Sequence, residues 1–340
     1  MSSPRATYLL LALALAPILT FLRRRSNRRS RKLPRKNERI LLIGASSGIG
    51  RTLAHQYVAL GVKSLCVVGR RPDMIAEVAS EADSASTQPG TTEVLGVAAD
   101  FTKVEDMVNL RRQLESKWGG IDTLIVVAGV SALRPLLEIS GKGDKEGIQH
   151  LVDVSNRAIE GNFTGPLIAA ATFIPLLQRT SSSPSILLVN SLASAIPAPT
   201  RALYASTKAS SLHLYQALAI EHPLIAFTNF LPSTVEGDFR ASAVDGGTPR
   251  EADPNKTGLK RVDVARRCIQ AIERREKNVF MPWVMGPAHL LYWMWPRLLE
   301  RFASKNISLM GRRDEVLGTY SLIVIISKAN SALDSLVEYC

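Results

Sequence analysis

A chain of 340 residues with 46% hydrophobic and 21% charged content is long and apolar enough to bury a substantial core, as one domain with additions or as two; a single domain is expected. Its net charge of +12 points toward nucleic acid until the distribution is read. Residues 1–39 hold eleven Lys/Arg against Glu38, a net +10, which leaves +2 for the remaining 301 residues, so no nucleic-acid partner is expected. Cys66, Cys268 and Cys340 show neither a disulfide framework nor metal-ligand spacing, which suits a reducing compartment. His55, His150, His213, His222 and His289 form no ligand cluster, so no metal site is expected.

Residues 6–22, ATYLLLALALAPILTFL, carry no charge over seventeen positions, the short end of a membrane-spanning helix. A cleaved signal peptide would carry its positive flank before the apolar run and a small-residue cleavage site after it; here an arginine triplet follows. A mitochondrial presequence would be amphipathic, whereas these apolar and basic parts are separate blocks. An uncleaved anchor is therefore expected. Arg23, Arg24, Arg25, Arg28, Arg29, Arg31, Lys32, Arg35 and Lys36 then put the following domain on the cytosolic side and can also touch anionic headgroups.

From Arg39 onward, apolar strands alternate with amphipathic helices, the pattern of a doubly wound parallel sheet of the Rossmann type. Strand one, RILLI, runs into Gly44, Gly48 and Gly50, spaced GxxxGxG before a helix. Glycines there allow a tight turn and a close approach of backbone to a pyrophosphate at the helix N-terminus. Strand two, SLCVVG, ends at Arg70 and Arg71. At that place an acid binds the ribose 2′-hydroxyl of NAD and an arginine accommodates the 2′-phosphate of NADP, so NADP is expected; Asp73 comes too late to be the acid. Strand three, EVLGVAA, precedes Asp100, which by itself reads as a turn residue. Strand four, IDTLIVV, leads to Ala128 and Gly129. A loop, SGKGDKEG, then precedes a long helical stretch holding Asn162, on its own merely a polar helix residue.

Strand five, SILLV, ends next to Ser191. Tyr204 and Lys208, four apart in ALYASTKASSLHLYQALAIE, leave one face of a helix. A hydroxyl at a strand's carboxyl end, a phenol and an ammonium thus meet where open α/β sheets place their ligands. An ammonium favours the phenolate, so Tyr204 can exchange a proton with a carbonyl or alcohol oxygen while Ser191 hydrogen-bonds the same oxygen. No side chain supplies a hydride; a nicotinamide cofactor does.

These motifs, taken together, resemble the classical short-chain dehydrogenase/reductase family from about Arg39 to Met281: GASSGIG, the aspartate of AADFT, VVAG, Asn162 in GNFTG, Ser191 thirteen residues before Tyr204, YASTK and LPSTV. The resemblance implies that Asn162 holds a water of the proton relay behind Lys208, and that Lys208 also binds the nicotinamide ribose. It implies cofactor contacts from Gly44, Ser46, Ser47, Gly48, Ile49, Gly50, Arg70, Arg71, Asp100, Ala128, Gly129 and Val235, with Tyr204 and Lys208. The chain departs from the family's TG at Ile43-Gly44, from its NNAG at Val126-Val127-Ala128-Gly129, and from its PG with a following threonine at Pro232 to Gly237; Thr234 is a candidate to replace one lost side-chain contact.

After strand six, IAFTNF, the Gly-, Pro-, Asp- and Thr-rich region Ser233–Lys260 sits where a substrate lid belongs, or is a plain surface loop. A helix, RVDVARRCIQAIERR, and a short strand, NVFM, close the domain. Trp283, Tyr292, Trp293 and Trp295 crowd the tail that follows; such aromatics suit a membrane interface or a packed contact, and Pro282, Pro287 and Pro296 argue against a spanning helix. The resulting expectation is three regions: 1–38, anchor and basic linker; 39–281, NADP-binding catalytic domain; 282–340, aromatic and membrane-associated tail. The function expected is an NADP(H)-dependent oxidoreductase acting on a lipophilic ketone or secondary alcohol of steroid, retinoid or sphingoid type. The membrane would be of endoplasmic-reticulum or lipid-droplet type, and a homodimer is one assembly the resemblance allows. Two rivals stand beside it. One is a non-catalytic NADP-binding membrane scaffold; the other is an extended-type sugar epimerase or dehydratase, which would carry GxxGxxG and a larger C-terminal domain.

Overall fold

The computed structural model describes residues 28–85, 91–246, 253–297 and 300. Seven short apolar segments form its strands: β1 (Arg39–Ile43), β2 (Ser64–Gly69), β3 (Glu93–Ala98), β4 (Thr123–Val126), β5 (Ser185–Val189), β6 (Ala226–Pro232) and β7 (Asn278–Met281). The helices between them are α1 (Gly48–Ala59), α2 (Pro72–Ser84), α3 (Val104–Trp118), α4 (Leu136–Ser140), α5 (Lys145–Ile159), α6 (Gly165–Thr180), α7 (Ala202–Glu221), α8 (Pro254–Thr257), α9 (Arg261–Arg274) and α10 (Met285–Met294).

All strands are parallel, in the order β3-β2-β1-β4-β5-β6-β7. Alternate residues of each strand face opposite sides, so two cores form. Ile40 and Leu42 point into a core with Leu53 of α1, Ile75 of α2 and Val264 of α9. Leu41 and Ile43 point into the other, with Met107 of α3, Phe173 of α6 and Tyr215 of α7. The order reverses between β1 and β4, and the crevice beyond their carboxyl ends is where such sheets bind ligands. A Cβ on Gly44 would lie 2.4 Å from Ala128 N, so the loops after β1 and β4 touch at this point.

Several boundaries differ from the sequence expectation. β4 starts at Thr123, and the Asp122 carboxylate just before it accepts from the guanidinium and backbone N–H of Arg39. β6 extends to Pro232, paired with Met281. The region after it holds a helical turn at Phe239–Ser242, the short α8 and a bridge between Val235 and Leu259. The basic stretch read as a linker is docked from Arg28 onward. Arg29 is 2% exposed, ion-pairs with the buried Glu38, and donates to Ser183 O (2.8 Å) and Asp122 O (3.0 Å) at the amino ends of the strands. The apolar segment 6–22 lies outside the described residues. Among the described residues no helix is long and apolar enough to cross a membrane.

Candidate active site

Ser191 sits just past β5, where its hydroxyl accepts from Ala193 N (3.2 Å) and opens a turn over Leu192–Ser194. Its backbone N–H donates to Asn190 Oδ1 (2.8 Å), and Asn190 Nδ2 reaches Lys208 O (3.0 Å) and Ser211 Oγ (3.2 Å). The strand end is thereby stapled to α7. Tyr204 and Lys208 lie one turn apart on the buried face of α7, 6% and 3% exposed. Lys208 Nζ points back to Val189 O (3.4 Å), and burial pushes its pKa down to about 8. An ammonium with a lowered pKa beside a phenol is equipped to exchange protons near neutral pH.

Asn162 joins this group through a wide turn, Glu160–Thr164, in which Gly165 N–H reaches Glu160 O, five residues back. The extra residue turns the Asn162 side chain inward. There Oδ1 accepts from Val130 N (2.9 Å), while Nδ2 donates to Val130 O (3.0 Å) and Thr207 Oγ1 (3.0 Å). A Cβ on Gly129 would meet Asn162 Oδ1 and Lys208 Nζ, both at 2.9 Å. Gly129, Asn162 and Lys208 therefore share one small space at the end of β4.

The glycine turn is built as its spacing requires. Gly44 (φ 94°) and Gly48 (φ 57°) are left-handed, and a Cβ on Gly50 would lie 2.0 Å from Gly44 O. Ser47, which precedes α1, makes no side-chain cap, so the first N–H groups of that helix face outward. Ile49, in the first turn of α1, packs against the core on that side of the sheet. Arg70 and Arg71 are exposed at the end of β2, and Arg71 Nη2 donates to Ser46 Oγ (3.2 Å), holding a guanidinium over the turn. Asp73 lies in the first turn of α2, past this place. Asp100 caps its own turn, accepting from Thr102 N (3.0 Å) and Oγ1 (2.9 Å). Val235 bridges Leu259, and the Thr234 hydroxyl accepts from Arg240 (3.0 Å). A left-handed glycine cradle, a helix start without a side-chain cap and a buried ammonium fit a dinucleotide: the turn and the start of α1 would hold its phosphates, and Lys208 would hold the nicotinamide ribose.

Sequence reasoning missed four neighbours. Thr207 links Asn162 to Tyr204 O (2.9 Å) and was legible only as an unremarked letter of YASTK. Asn190 had no signal beyond its place before Ser191. Arg201 lies over the Tyr204 ring at 4.6 Å and donates to Ser131 Oγ (3.1 Å). Phe239 meets the same ring edge-on at 6.3 Å. The segment after β6 is fastened across the site: Asp245 accepts from Leu133 N (2.6 Å) and Arg134 N (2.7 Å), and Val244 N–H donates to Ser131 O (2.9 Å).

Comparison with known proteins agrees with this geometry. The chain is 26% identical over 260 residues to 11-beta-hydroxysteroid dehydrogenase A of Sesamum indicum, covering 76% of this chain and 69% of that protein. It is 26% identical over 289 residues to dehydrogenase/reductase SDR family member 7B of Danio rerio, covering 80% and 87%. Among solved structures, a short chain dehydrogenase/reductase of Burkholderia phymatum in complex with NAD superposes with a TM-score of 0.65 at 19% identity, over 78% of this chain and 96% of that one. An alcohol dehydrogenase of Thermococcus sibiricus complexed with 5-hydroxy-NADP gives 0.58 at 24% identity, over 72% and 94%. These structures share the fold. The family model described as short chain dehydrogenase matches residues 38–246, more than half of the chain, so the chain belongs to the short-chain dehydrogenase/reductase family of oxidoreductases.

Proposed function

We propose that this protein is an NADP(H)-dependent, membrane-associated reductase of lipophilic ketones, with Tyr204 as the proton donor. The observation that carries the reading is the placement of Asn162 and Lys208 together at Gly129, with Tyr204 one turn before Lys208 on the buried face of α7 and Ser191 stapled to that helix through Asn190. A bound nicotinamide supplies the hydride. Ser191 orients the substrate carbonyl oxygen; Tyr204 gives it the phenolic proton; Lys208 keeps a positive charge beside the phenolate that forms. Asn162, held at three points, fixes the space behind Lys208 through which that proton is replaced.

The preference for NADP rests on Arg70 and Arg71 at the end of β2, with no acid in their place. A lipophilic substrate is supported by relatives named hydroxysteroid dehydrogenases and by the exposed apolar face of α10 and its flanks: Trp283 62%, Leu290 64%, Trp293 73%, Met294 68% and Trp295 61%. His289 Nδ1 lies 2.8 Å from Ala195 O, so that face adjoins the loop after Ser191.

The deciding experiment follows NADPH oxidation by the full chain in phospholipid nanodiscs against steroid, retinoid and long-chain ketones. Turnover that falls at least 1,000-fold in Tyr204→Phe supports the reading. NADPH binding without turnover on any of them replaces it with the scaffold. Changing Trp283, Trp293 and Trp295 together to Ser is expected to weaken binding to phosphatidylcholine vesicles about tenfold when residues 1–27 are removed; undiminished binding removes α10 from the membrane reading.

A further inference from the structure

Arg201 is an unusual residue for its place. It occupies the N-cap of α7, where Ser, Thr, Asp or Asn normally accept from the first free N–H groups, and it makes no side-chain cap. Its positive charge stands at the end of the helix that already carries partial positive charge, which disfavours it. It is 8% exposed, so water screens little of that cost. The residue before it, Thr200, is β-branched and left-handed at φ 62°, a conformation that such residues rarely adopt. Local preference is overridden three times to put one guanidinium here, and conflicts of that kind concentrate at working sites.

The position explains them. Arg201 and Tyr204 are three apart, and the guanidinium carbon lies 4.6 Å from the centre of the Tyr204 ring. Ser131, fully buried, takes Nη2 at 3.1 Å and fixes its angle; the carbonyl of the same Ser131 receives Val244 N–H from the segment after β6. Resting on the reductase reading above, we infer that Arg201 is a positioning and electrostatic residue for Tyr204, held over the ring by Ser131 to stabilise the phenolate left when the proton is given up.

The hydride would bond to the carbonyl carbon and the electron pair of the C=O π bond would pass to the oxygen; the Tyr204 O–H bond breaks, an O–H bond forms on that oxygen, and the negative charge is left on the phenol. A cation over an aromatic face is attracted more strongly to the electron-rich phenolate ring than to the neutral phenol, so the interaction grows as the proton leaves. Lys208 acts on the same charge from one turn further along α7 and burial limits its ammonium to below about pH 8. Arg201 acts on it from the ring face, at 4.6 Å from the ring centre.

The test compares Arg201→Met, Arg201→Lys and Ser131→Ala in the full chain, with kcat, ketone KM, NADPH Kd and melting temperature measured for each. Arg201→Met keeps the stem but not the charge and is expected to lower kcat about tenfold, with KM and Kd within about twofold. Arg201→Lys restores a cation and is expected to recover most of that loss. Ser131→Ala leaves the charge but frees its angle and is expected to lower kcat about threefold. Unchanged kcat in a folded Arg201→Met, or equal impairment in Arg201→Lys and Arg201→Met, overturns the inference. If Arg201→Met does not fold, Arg201→Lys and Ser131→Ala decide: wild-type kcat in Ser131→Ala, or loss of kcat in Arg201→Lys beyond tenfold, overturns it. Activity that survives Tyr204→Phe overturns the reductase reading itself, and the two failures are thereby separated.

Discussion

Asn162 Nδ2 donates to Thr207 Oγ1 at 3.0 Å, and this contact ties the wide turn before α6 to the helix that carries Tyr204 and Lys208. The Thr207 hydroxyl in turn donates to Tyr204 O (2.9 Å), so the two elements share one short polar chain. The same asparagine satisfies both the N–H and the carbonyl of Val130. One side chain therefore joins the loop after β4, the turn and α7.

Asn162, 1% exposed, is the partner that Asn162→Ala takes from the N–H and carbonyl of Val130, while the Thr207 hydroxyl keeps its bond to Tyr204 O. Each unsatisfied buried group costs about 1–3 kcal/mol, and the expected loss of stability is about 3 kcal/mol, since relaxation recovers part of the sum. Urea unfolding measures it. A loss below about 1 kcal/mol would mean that the turn closes on itself without the asparagine.

Lys208 makes a pH prediction. Burial lowers its pKa from 10.5 to about 8, so between these values the unfolded chain holds a proton that the folded chain has released, and stability rises with pH. Below about pH 8 both states carry the charge and folding bears its full desolvation cost, about 3 kcal/mol. Tyr57, Tyr215, Cys66 and Cys268 act in the opposite sense, because burial pushes their pKa values up and their contribution is lost as pH rises. The difference between wild type and Lys208→Met isolates the lysine. The wild type is expected to be about 3 kcal/mol less stable relative to that variant at pH 7.5 than at pH 10.5, measured without cofactor; a difference that does not change with pH would refute it.

The reach of sequence reasoning follows the range of the interactions. Ser191, Tyr204 and Lys208 were legible because a strand end and a four-residue spacing are local, and the alternation of strand and helix was enough to expect the parallel sheet. Gly44, Gly48 and Gly50 were legible for the same reason. Arg201 was passed over because its partners, Ser131 and the ring face of Tyr204, are set by how α7 packs. The wide turn at Asn162 leaves no mark in a helical pattern. Arg29 was read as one more charge of a basic block, although its acceptor Ser183 lies 154 residues away. Asp100, expected from the resemblance, and Thr234, the candidate replacement, also bond locally, the first accepting from Thr102 and the second from Arg240.

The proposed preference for NADP rests on Arg70 and Arg71. Replacing both by Ala removes two cations from the place where a 2′-phosphate would sit, and NADPH affinity is expected to fall about 30-fold, the worth of about 2 kcal/mol. NADH, which lacks that phosphate, is expected to change less than threefold. Titration of cofactor fluorescence in the wild type and the double variant checks this, and an equal loss for the two cofactors would show that the arginines serve the fold or the shared pyrophosphate instead.

The docked stretch from Arg28 places the start of the folded unit ahead of β1. Arg29 pairs with Glu38 in a buried site that also receives the Thr123 hydroxyl, and Leu33 packs at 8% exposure on the way between them. Removing one member of a buried pair leaves the other charged and desolvated, which costs about 3–5 kcal/mol, whereas removing both costs far less. Arg29→Met alone is therefore expected to destabilise strongly, and Arg29→Met with Glu38→Gln to recover most of the loss. The same argument sets a limit on truncation. A chain beginning at Arg28 keeps the pair and is expected to unfold at the midpoint of the longer protein. One beginning at Arg39, where the sequence alone places the domain, loses both residues of the pair together with the packing of Leu33, and exposes Asp122 O and Ser183 O at the amino ends of β4 and β5. Its urea midpoint is expected to fall clearly below that of the Arg28 chain; equal midpoints would mean that the docked stretch adds no stability and that the domain begins at β1.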